Sequence, residues 1–269
     1  MRATLVWLET VWQDVKYGAR QLRRSPGFSS AAAITLALGM GVNTSIFSLL
    51  NALLLRPLAG ARSDGLVVVY RGDDRPCSYP DFLDFQDRGT AFSGLAADVT
   101  DESALDAGES SEIILMEGVT YNYASVLETR PSLGRWFSTQ DERTPADQFP
   151  AVISYRVWQR RFGADPQVIG KSVRLESQWY TVVGVAAKDF QGMALPIVTD
   201  AWVPLVKYAL HNEYAARVLK DRQGGSVTLL GRLKPGVTIS QAQAQMNVVD
   251  SQLRREYLRP DPRAKALRV

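Results

Sequence analysis

Between Arg24 and Arg56 no position carries a charge, and Phe28 to Leu55 reads FSSAAAITLALGMGVNTSIFSLLNALLL, an apolar run of 28 residues. A core helix does not need such a run, and the pattern predicts one transmembrane helix. At about 1.5 Å per residue the run is about 42 Å long against a hydrocarbon core of about 30 Å, so roughly two turns are expected to project as a stalk. Asn43, Ser48 and Asn51 put the polar positions in the second half, and Pro57 ends the helix. Small or weakly polar residues recur every fourth position at Ala31, Thr35, Gly39 and Asn43, the spacing that lets another membrane helix approach closely.

Ahead of this run, Leu8, Val11, Trp12, Val15, Ala19 and Leu22 fall at helical spacing, with Lys16, Arg20 and Arg23 elsewhere around the wheel. Such a leader, with Trp7 and Trp12 as interfacial aromatics, is expected to lie on the inner membrane surface. The excess of basic residues before the span places the N-terminus in the cytoplasm and the main domain outside. Ala59-Gly60-Ala61 has the form of a signal-peptidase site, but the apolar run is about twice the usual 7–15 residues and the leader is too long and too patterned for a signal peptide.

After Pro57, strands and amphipathic helices alternate. Strands are expected at Leu66–Tyr70, Phe92–Val99, Glu112–Val119, Ala151–Ser154 and Ser226–Leu233, with a turn over Asp98–Ser111. Lys171–Glu176 and Trp179–Ala186 read as a hairpin about Ser177-Gln178. Helices are expected at Tyr79–Arg88, Tyr121–Glu128, Tyr155–Phe162 (stopping at Gly163) and Ser240–Leu258. The last carries a buried stripe of Ala242, Met246, Val249 and Leu253. Strand-helix blocks at both ends suggest one α/β unit with a mostly β block inserted, an α+β class overall. The tail after Leu258 shows no packed element. Met193–Val206 is too short and too interrupted by Asp200 and prolines to be a second span.

Net charge is +3 from 31 basic and 28 acidic residues. Residues 1–24 hold five basic and two acidic residues, which leaves 26 of each sign in the body. A neutral body gives no footprint for nucleic acid. One cysteine, Cys77, and one histidine, His211, exclude a disulfide scaffold and a Cys/His zinc site. Cys77 reads as a loop residue and His211 as a surface residue. Asp81, Asp84 and Asp87 read as a solvated helix face rather than a cation site, and the pair Arg160-Arg161 as surface. Without a P-loop, a Gly-x-Ser-x-Gly elbow or an H-E-x-x-H motif, the chain offers no catalytic, cofactor-binding or metal-binding set, and no enzyme is expected.

Four stretches carry a family resemblance: WQDVKYGARQLRRSPGFSSAAAITLALGMGVNTSIFSLLNALLLRPL, SYPDFLDFQDRGTAFSGL, VISYRVWQRRFGADPQVIGKSVRLESQWYTVVGVAAKDFQG and GRLKPGVTISQAQAQM. They resemble the N-terminal half-repeat of MacB/FtsX-like ABC transporter permeases, in particular the acidobacterial duplicated orphan permeases. The resemblance implies an inner-membrane protein with a cytoplasmic helix (1–24), a transmembrane helix and stalk (25–56), a MacB-like periplasmic core domain (57–258) and a tail (259–269). The core is implied to pair a porter-like subdomain (57–105 and 225–258) with an inserted, mostly β, Sabre-like subdomain (106–224). It further implies coupling of ATP hydrolysis to movement of the external domains, called mechanotransmission. ATP would be bound by a cytoplasmic ABC ATPase partner, and the remaining permease helices or a second permease copy would pack on the span. Because the chain stops where a second span is due, it reads as truncated and inactive alone. The alternative is a single-pass anchored binding or sensor module without ATP coupling.

Overall fold

A computed structural model describes residues 12, 16–17, 20, 23–50, 61–62, 64–71, 76–106, 111–143, 148–194, 197–224, 226–257 and 267–268. The chain divides into two compact units, Met1–Arg56 and Pro57–Val269.

In the first unit, Pro26 opens helix α1 (Pro26–Leu50) at a position where the missing N–H costs nothing. Ser29 Oγ returns a hydrogen bond to the Ser25 carbonyl at 3.0 Å. Phe28, Ile34, Leu36, Leu38, Met40, Val42, Ile46 and Phe47 are all exposed. Pro26–Phe47 is long and apolar enough to cross a membrane, with a mean hydropathy of 1.4 over its most apolar window. None of its described side chains is buried.

The second unit is built on strands β1 (Leu66–Arg71), β2 (Phe92–Asp106), β3 (Ser111–Val119), β4 (Leu133–Gly134), β5 (Pro150–Ile153), β6 (Ser172–Leu175), β7 (Gln178–Val185), β8 (Ala201–Pro204), β9 (Thr228–Leu233) and β10 (Leu267–Arg268). Their order is β10-β1-β9-β2-β3-β8-β5-β7-β4, and β6 pairs with both β2 and β7. The pairings β2-β3, β3-β8, β8-β5, β5-β7, β7-β6 and β6-β2 therefore close into a ring. A closed ring leaves no open edge among its own members. Two of the six pairings, β3-β8 and β5-β7, are parallel.

Helices α2 (Tyr79–Arg88), α3 (Tyr123–Leu127), α4 (Thr139–Arg143), α5 (Tyr155–Phe162), α6 (Leu205–Tyr208), α7 (Glu213–Val218) and α8 (Ile239–Tyr257) complete the unit. Ser78 caps α2 by accepting from the Asp81 N–H at 3.1 Å, and Ser154 caps α5 by accepting from the Val157 N–H at 3.1 Å. Gly163 ends α5 in the left-handed conformation. The stripe Ala242, Met246, Val249 and Leu253 is buried, in one core with Phe82 and Phe85 of α2 and Val69, Leu95, Ala97 and Leu229 of the sheet. The same core includes Met116, Ile153, Val173, Tyr180, Val182 and Val203 from the strand ring. Strand alternation sends Ala96, Val119, Val152, Trp202 and Leu230 to a second core, with Tyr123, Trp136, Phe137 and Phe190. Both faces of the central strands are thus covered.

Several expectations are corrected. The turn expected over Asp98–Ser111 is strand as far as Asp106, because Asp98–Asp106 pairs residue for residue with Ser111–Val119. Alternation there puts Ser103 and Leu105 inside and Glu102 and Ala104 outside, a pattern obscured by the acidic composition. The tail does contain a strand: Leu267 and Arg268 pair with Arg71 and Tyr70. Asp81 is buried rather than solvated, held by Arg71 and by Arg222 at 3.1 Å. Arg222 also holds Asp84 at 2.7 Å. Arg160 stays at the surface, as expected of the pair, and it and the partly buried Arg161 converge on Glu112, at 2.8 and 3.1 Å.

Candidate functional site

Arg62, Asp64 and Gly65, ahead of β1, are held to the sheet through one buried cation. Arg232 stands on β9, where alternation points it, like Leu230, toward α3. Its Nε donates to the Val126 carbonyl at 2.6 Å, Nη1 to the Asp64 carbonyl at 2.7 Å and Nη2 to the Arg62 carbonyl at 2.7 Å. Glu128 lies 3.3 Å from the Arg232 Nε and balances its charge. The planar guanidinium supplies donors in several directions at once, which an ammonium on a flexible stem does not do.

Arg62 completes the clasp. Its N–H donates to the Leu127 carbonyl at 3.0 Å and its Nη1 to Glu128 at 3.2 Å. Glu128 is the left-handed cap of α3, with φ 51°, so it turns the chain out of the helix while its carboxylate meets both arginines. The Leu233 N–H then closes onto the Gly65 carbonyl at 2.8 Å, where Gly65 has φ +70°. Arg62, Asp64 and Gly65 are therefore fixed to β9 and to the end of α3 by hydrogen bonds that are mostly made to backbone.

A second buried charge lies on the same face of the sheet. Glu117 is fully buried and pairs in register with Trp202 across β3 and β8. Its Oε2 accepts from Tyr123 Oη and Trp202 Nε1, both at 2.7 Å. Its Oε1 accepts from Thr199 Oγ1 at 2.6 Å and from the N–H groups of Met193 and Ala194 at 2.9 and 3.2 Å. Five donors around one carboxylate are what a buried anion requires. A side chain at Gly192, with φ +81°, would run into Thr199 and Glu117, so glycine lets this loop wrap the acid. Asp98, two pairs along the ladder, is buried without a partner for its Oδ1. Burial first, and then the neighbouring Glu117, push its carboxyl well above the ordinary range.

The remaining candidates do not assemble into chemistry. Cys77 lies between the named elements, as read, but is completely buried there, bridged to Val227, with its thiol 3.6 Å from the Val69 carbonyl, and burial pushes it up to about 12. His211 is half-buried rather than on the surface. Its Nε2 is 3.0 Å from Tyr180 Oη, and its ring meets Phe149, Tyr180 and Tyr208 edge-on. Burial holds it below its usual value. Among the described residues no group of three or more His, Cys, Asp or Glu residues can hold a metal.

Of the membrane positions read from sequence, Ala31, Thr35, Gly39 and Asn43 are all exposed on α1, and Thr35 Oγ1 folds back onto the Ala31 carbonyl at 2.9 Å. Among the described residues, a side chain at Gly39 would point into open space. Trp12, Lys16, Arg20 and Arg23 are exposed, with Lys16 Nζ 6.0 Å from the Trp12 ring. Trp7, Val11 and Val15 lie outside the described residues. The Arg232 clasp was missed in the sequence. Its one legible signal is an arginine at the alternation position of a strand that is otherwise apolar.

A family model described as the MacB-like periplasmic core domain matches residues 29–249. The macrolide export ATP-binding/permease protein MacB of Chlorobium luteolum is 29% identical over 175 residues, covering 61% of this chain and 25% of the relative. Its counterpart in Chlorobium phaeobacteroides is 24% identical over 169 residues, covering 60% and 24%. The chain thus spans about a quarter of the length of the curated relatives it matches. Among solved structures, the periplasmic region of MacB from Actinobacillus actinomycetemcomitans aligns with a TM-score of 0.54 at 13% identity, over 70% of this chain and 84% of that one. The extracellular domain of the noncanonic ABC-type transporter YknZ from Gram-positive bacteria aligns with a TM-score of 0.55 at 14% identity, over 76% and 98%. At these identities the likeness is one of fold.

Proposed function

Because the chain belongs to the family of the MacB-like periplasmic core domain and carries the periplasmic domain of an ABC transporter permease, we propose that it works as a membrane-anchored coupling element. In this reading α1 spans the inner membrane with the N-terminus cytoplasmic, and a partner ABC ATPase supplies the energy. Displacement of α1 is passed through the linker into the periplasmic fold. The observation that carries the reading is the Arg232 clasp. The Arg62 and Asp64 carbonyls are hydrogen-bonded to Arg232 of β9 and the Arg62 N–H to the end of α3, which supports a reading in which pull on this segment reaches the sheet. The small-residue face Ala31, Thr35, Gly39 and Asn43 is assigned to a neighbouring permease helix or a second permease copy.

Residues 57–105 with 225–258 form the porter-like part in this reading, and 106–224 the inserted part. Five of the six ring strands, β3, β5, β6, β7 and β8, fall within 106–224, and β2 (Phe92–Asp106) joins the ring to the other part. The quoted sequence stretches support placement with the acidobacterial duplicated orphan permeases. Coupling is tested by measuring ATP hydrolysis of the permease assembled with its ATPase in nanodiscs, for the unaltered chain and for Arg232→Met. The reading expects hydrolysis to persist in the variant while distance changes between spin labels on the core, driven by nucleotide, are lost. Unchanged distance changes would remove the clasp from the mechanism.

A further inference from the structure

Three arginines and three carboxylates gather at the end of β1 that lies away from the clasp. Asp81, in the first turn of α2, is 2% exposed, and its oxygens meet Arg71 of β1 on one side and Arg222 at 3.1 Å on the other. Arg222 stands in the loop between α7 and β9. Its Nη1 also reaches Asp84 at 2.7 Å, and its guanidinium lies over the Tyr257 ring, with Cζ 4.2 Å from the centroid. Arg71 Nη1 donates to the Arg222 carbonyl at 3.4 Å. Arg88, in the last turn of α2, binds Glu256 through two hydrogen bonds of 2.9 Å and lies 3.9 Å from Asp84. Positive and negative charges in the set are equal in number.

Two separate pieces of the chain end on these charges. The last turn of α8 is attached through Glu256 to Arg88 and through Tyr257 to Arg222. Strand β10 is attached to β1 beside them, Leu267 opposite Arg71 and Arg268 opposite Tyr70. The pairing is antiparallel, so from Leu267 to Arg268 the chain heads toward the other end of β1, where Leu66 pairs with Arg232 of the clasp. The six residues of β1 put the two ends about 17 Å apart. The end of α8 and β10 also lie against each other. Little apolar burial holds either piece: Leu253 is the last buried residue of α8, and β1 is the one strand that β10 pairs with among the described residues. Segments of this kind open locally at less than the cost of global unfolding.

We propose that these charges form an ionic latch, and that the last turn of α8 and β10 open and close on it as one flap while the clasp end of β1 stays shut. Arg222 is the pin of the latch, because it joins Asp81, Asp84 and Tyr257 from a loop that belongs to neither moving piece. In the coupling reading the flap is the part of the core that moves when β1 is pulled. The latch itself requires neither ATP nor α1, so its test and that of the coupling reading fail separately.

The test is native-state amide exchange on the full chain in lipid nanodiscs. Arg222→Met leaves Asp81 with Arg71 and Asp84 with Arg88, so no carboxylate of the set loses its last cation. The proposal expects exchange in this variant to be about tenfold faster at Glu256, Tyr257, Leu267 and Arg268 together, with Asp64 and Gly65 unchanged. Arg222→Lys, which keeps the charge without the planar fork, is expected to recover part of the protection. Salt gives a readout that apolar packing would not move. At about 1 M, where the Debye length is about 3 Å, exchange at the same four amides is expected to rise in the unaltered chain and to rise less in Arg222→Met. Should Arg222→Met fail to fold, Arg222→Lys and the salt response of the unaltered chain carry the test. Faster exchange at the end of α8 without β10, no change at either, or an equal change at Asp64 and Gly65 would overturn the proposal.

Discussion

Arg232 on β9 donates from Nη2 to the carbonyl of Arg62 at 2.7 Å, joining positions 170 residues apart in the chain. Replacing Arg232 with Met removes donors from three carbonyls and leaves Glu128 with Arg62 as its partner. Losing several hydrogen bonds from a buried cation is expected to cost about 3 kcal/mol. Arg232→Lys should recover less than half of this, because one ammonium cannot reach all three carbonyls. Thermal unfolding and amide exchange at Asp64 and Gly65 check it. Fast exchange there with little change elsewhere in the sheet is the expected signature.

Glu117→Gln exchanges an anion for a neutral amide inside a cage of five donors. The amide nitrogen must then face donors, so a loss of about 3 kcal/mol is expected in denaturant unfolding.

Asp98→Asn should act in the opposite sense as pH rises. The carboxyl of Asp98 is raised when folded, from 3.8 in the absence of burial and of Glu117. The folded state therefore binds the proton more tightly than the unfolded state. Its contribution is complete below the unfolded value and is lost as pH climbs through the folded one. The difference in unfolding midpoint between the unaltered chain and Asp98→Asn, measured between pH 4 and pH 9, is expected to move against the unaltered chain as pH rises.

His211 contributes with the reverse sign. Burial lowers its folded value below 6.5, so the neutral form is favoured in the fold. Stability is lost as pH drops below that value, where the unfolded chain takes up the proton first. Replacing His211 with Gln should flatten the acid limb of the stability curve, measured by thermal unfolding between pH 5 and pH 7.

Gly134→Ala tests the seat of β4 on β7. The position has positive φ, and an added Cβ would meet the Val183 carbonyl, backbone that cannot rotate away. A loss of about 2–3 kcal/mol is expected, from conformational strain and displacement of β4 from β7.

Much of the fold was legible because local patterns and tertiary placement agree. The helix Tyr79–Arg88 has Ser78 before it and apolar positions on one side, and the stripe Ala242, Met246, Val249, Leu253 faces the core it was expected to face. What was hidden depends on partners distant in sequence. Asp81 looks solvated until Arg71 and Arg222 arrive, and His211 looks exposed until Phe149, Tyr180 and Tyr208 surround it. The second half of β2 was read as part of a turn over Asp98–Ser111 because acidic and small residues on its outer face mask the buried alternation. The ring closure through β6 could not be seen from strand order, since Leu105 meets Leu175 only after the ring has formed.

The central claim is that α1 crosses the membrane and delivers the chain to a periplasmic core. Cys77 is the only cysteine, and it is buried with its thiol pushed up to about 12, so a membrane-impermeant maleimide will not mark it in the folded chain. Intact spheroplasts carrying Ser111→Cys or Arg20→Cys, both exposed positions, are treated with this reagent before and after permeabilisation. The account predicts labelling of Ser111→Cys in intact cells and of Arg20→Cys only after permeabilisation. Labelling of Arg20→Cys in intact cells with Ser111→Cys protected, or recovery of the chain in the soluble fraction, would contradict it.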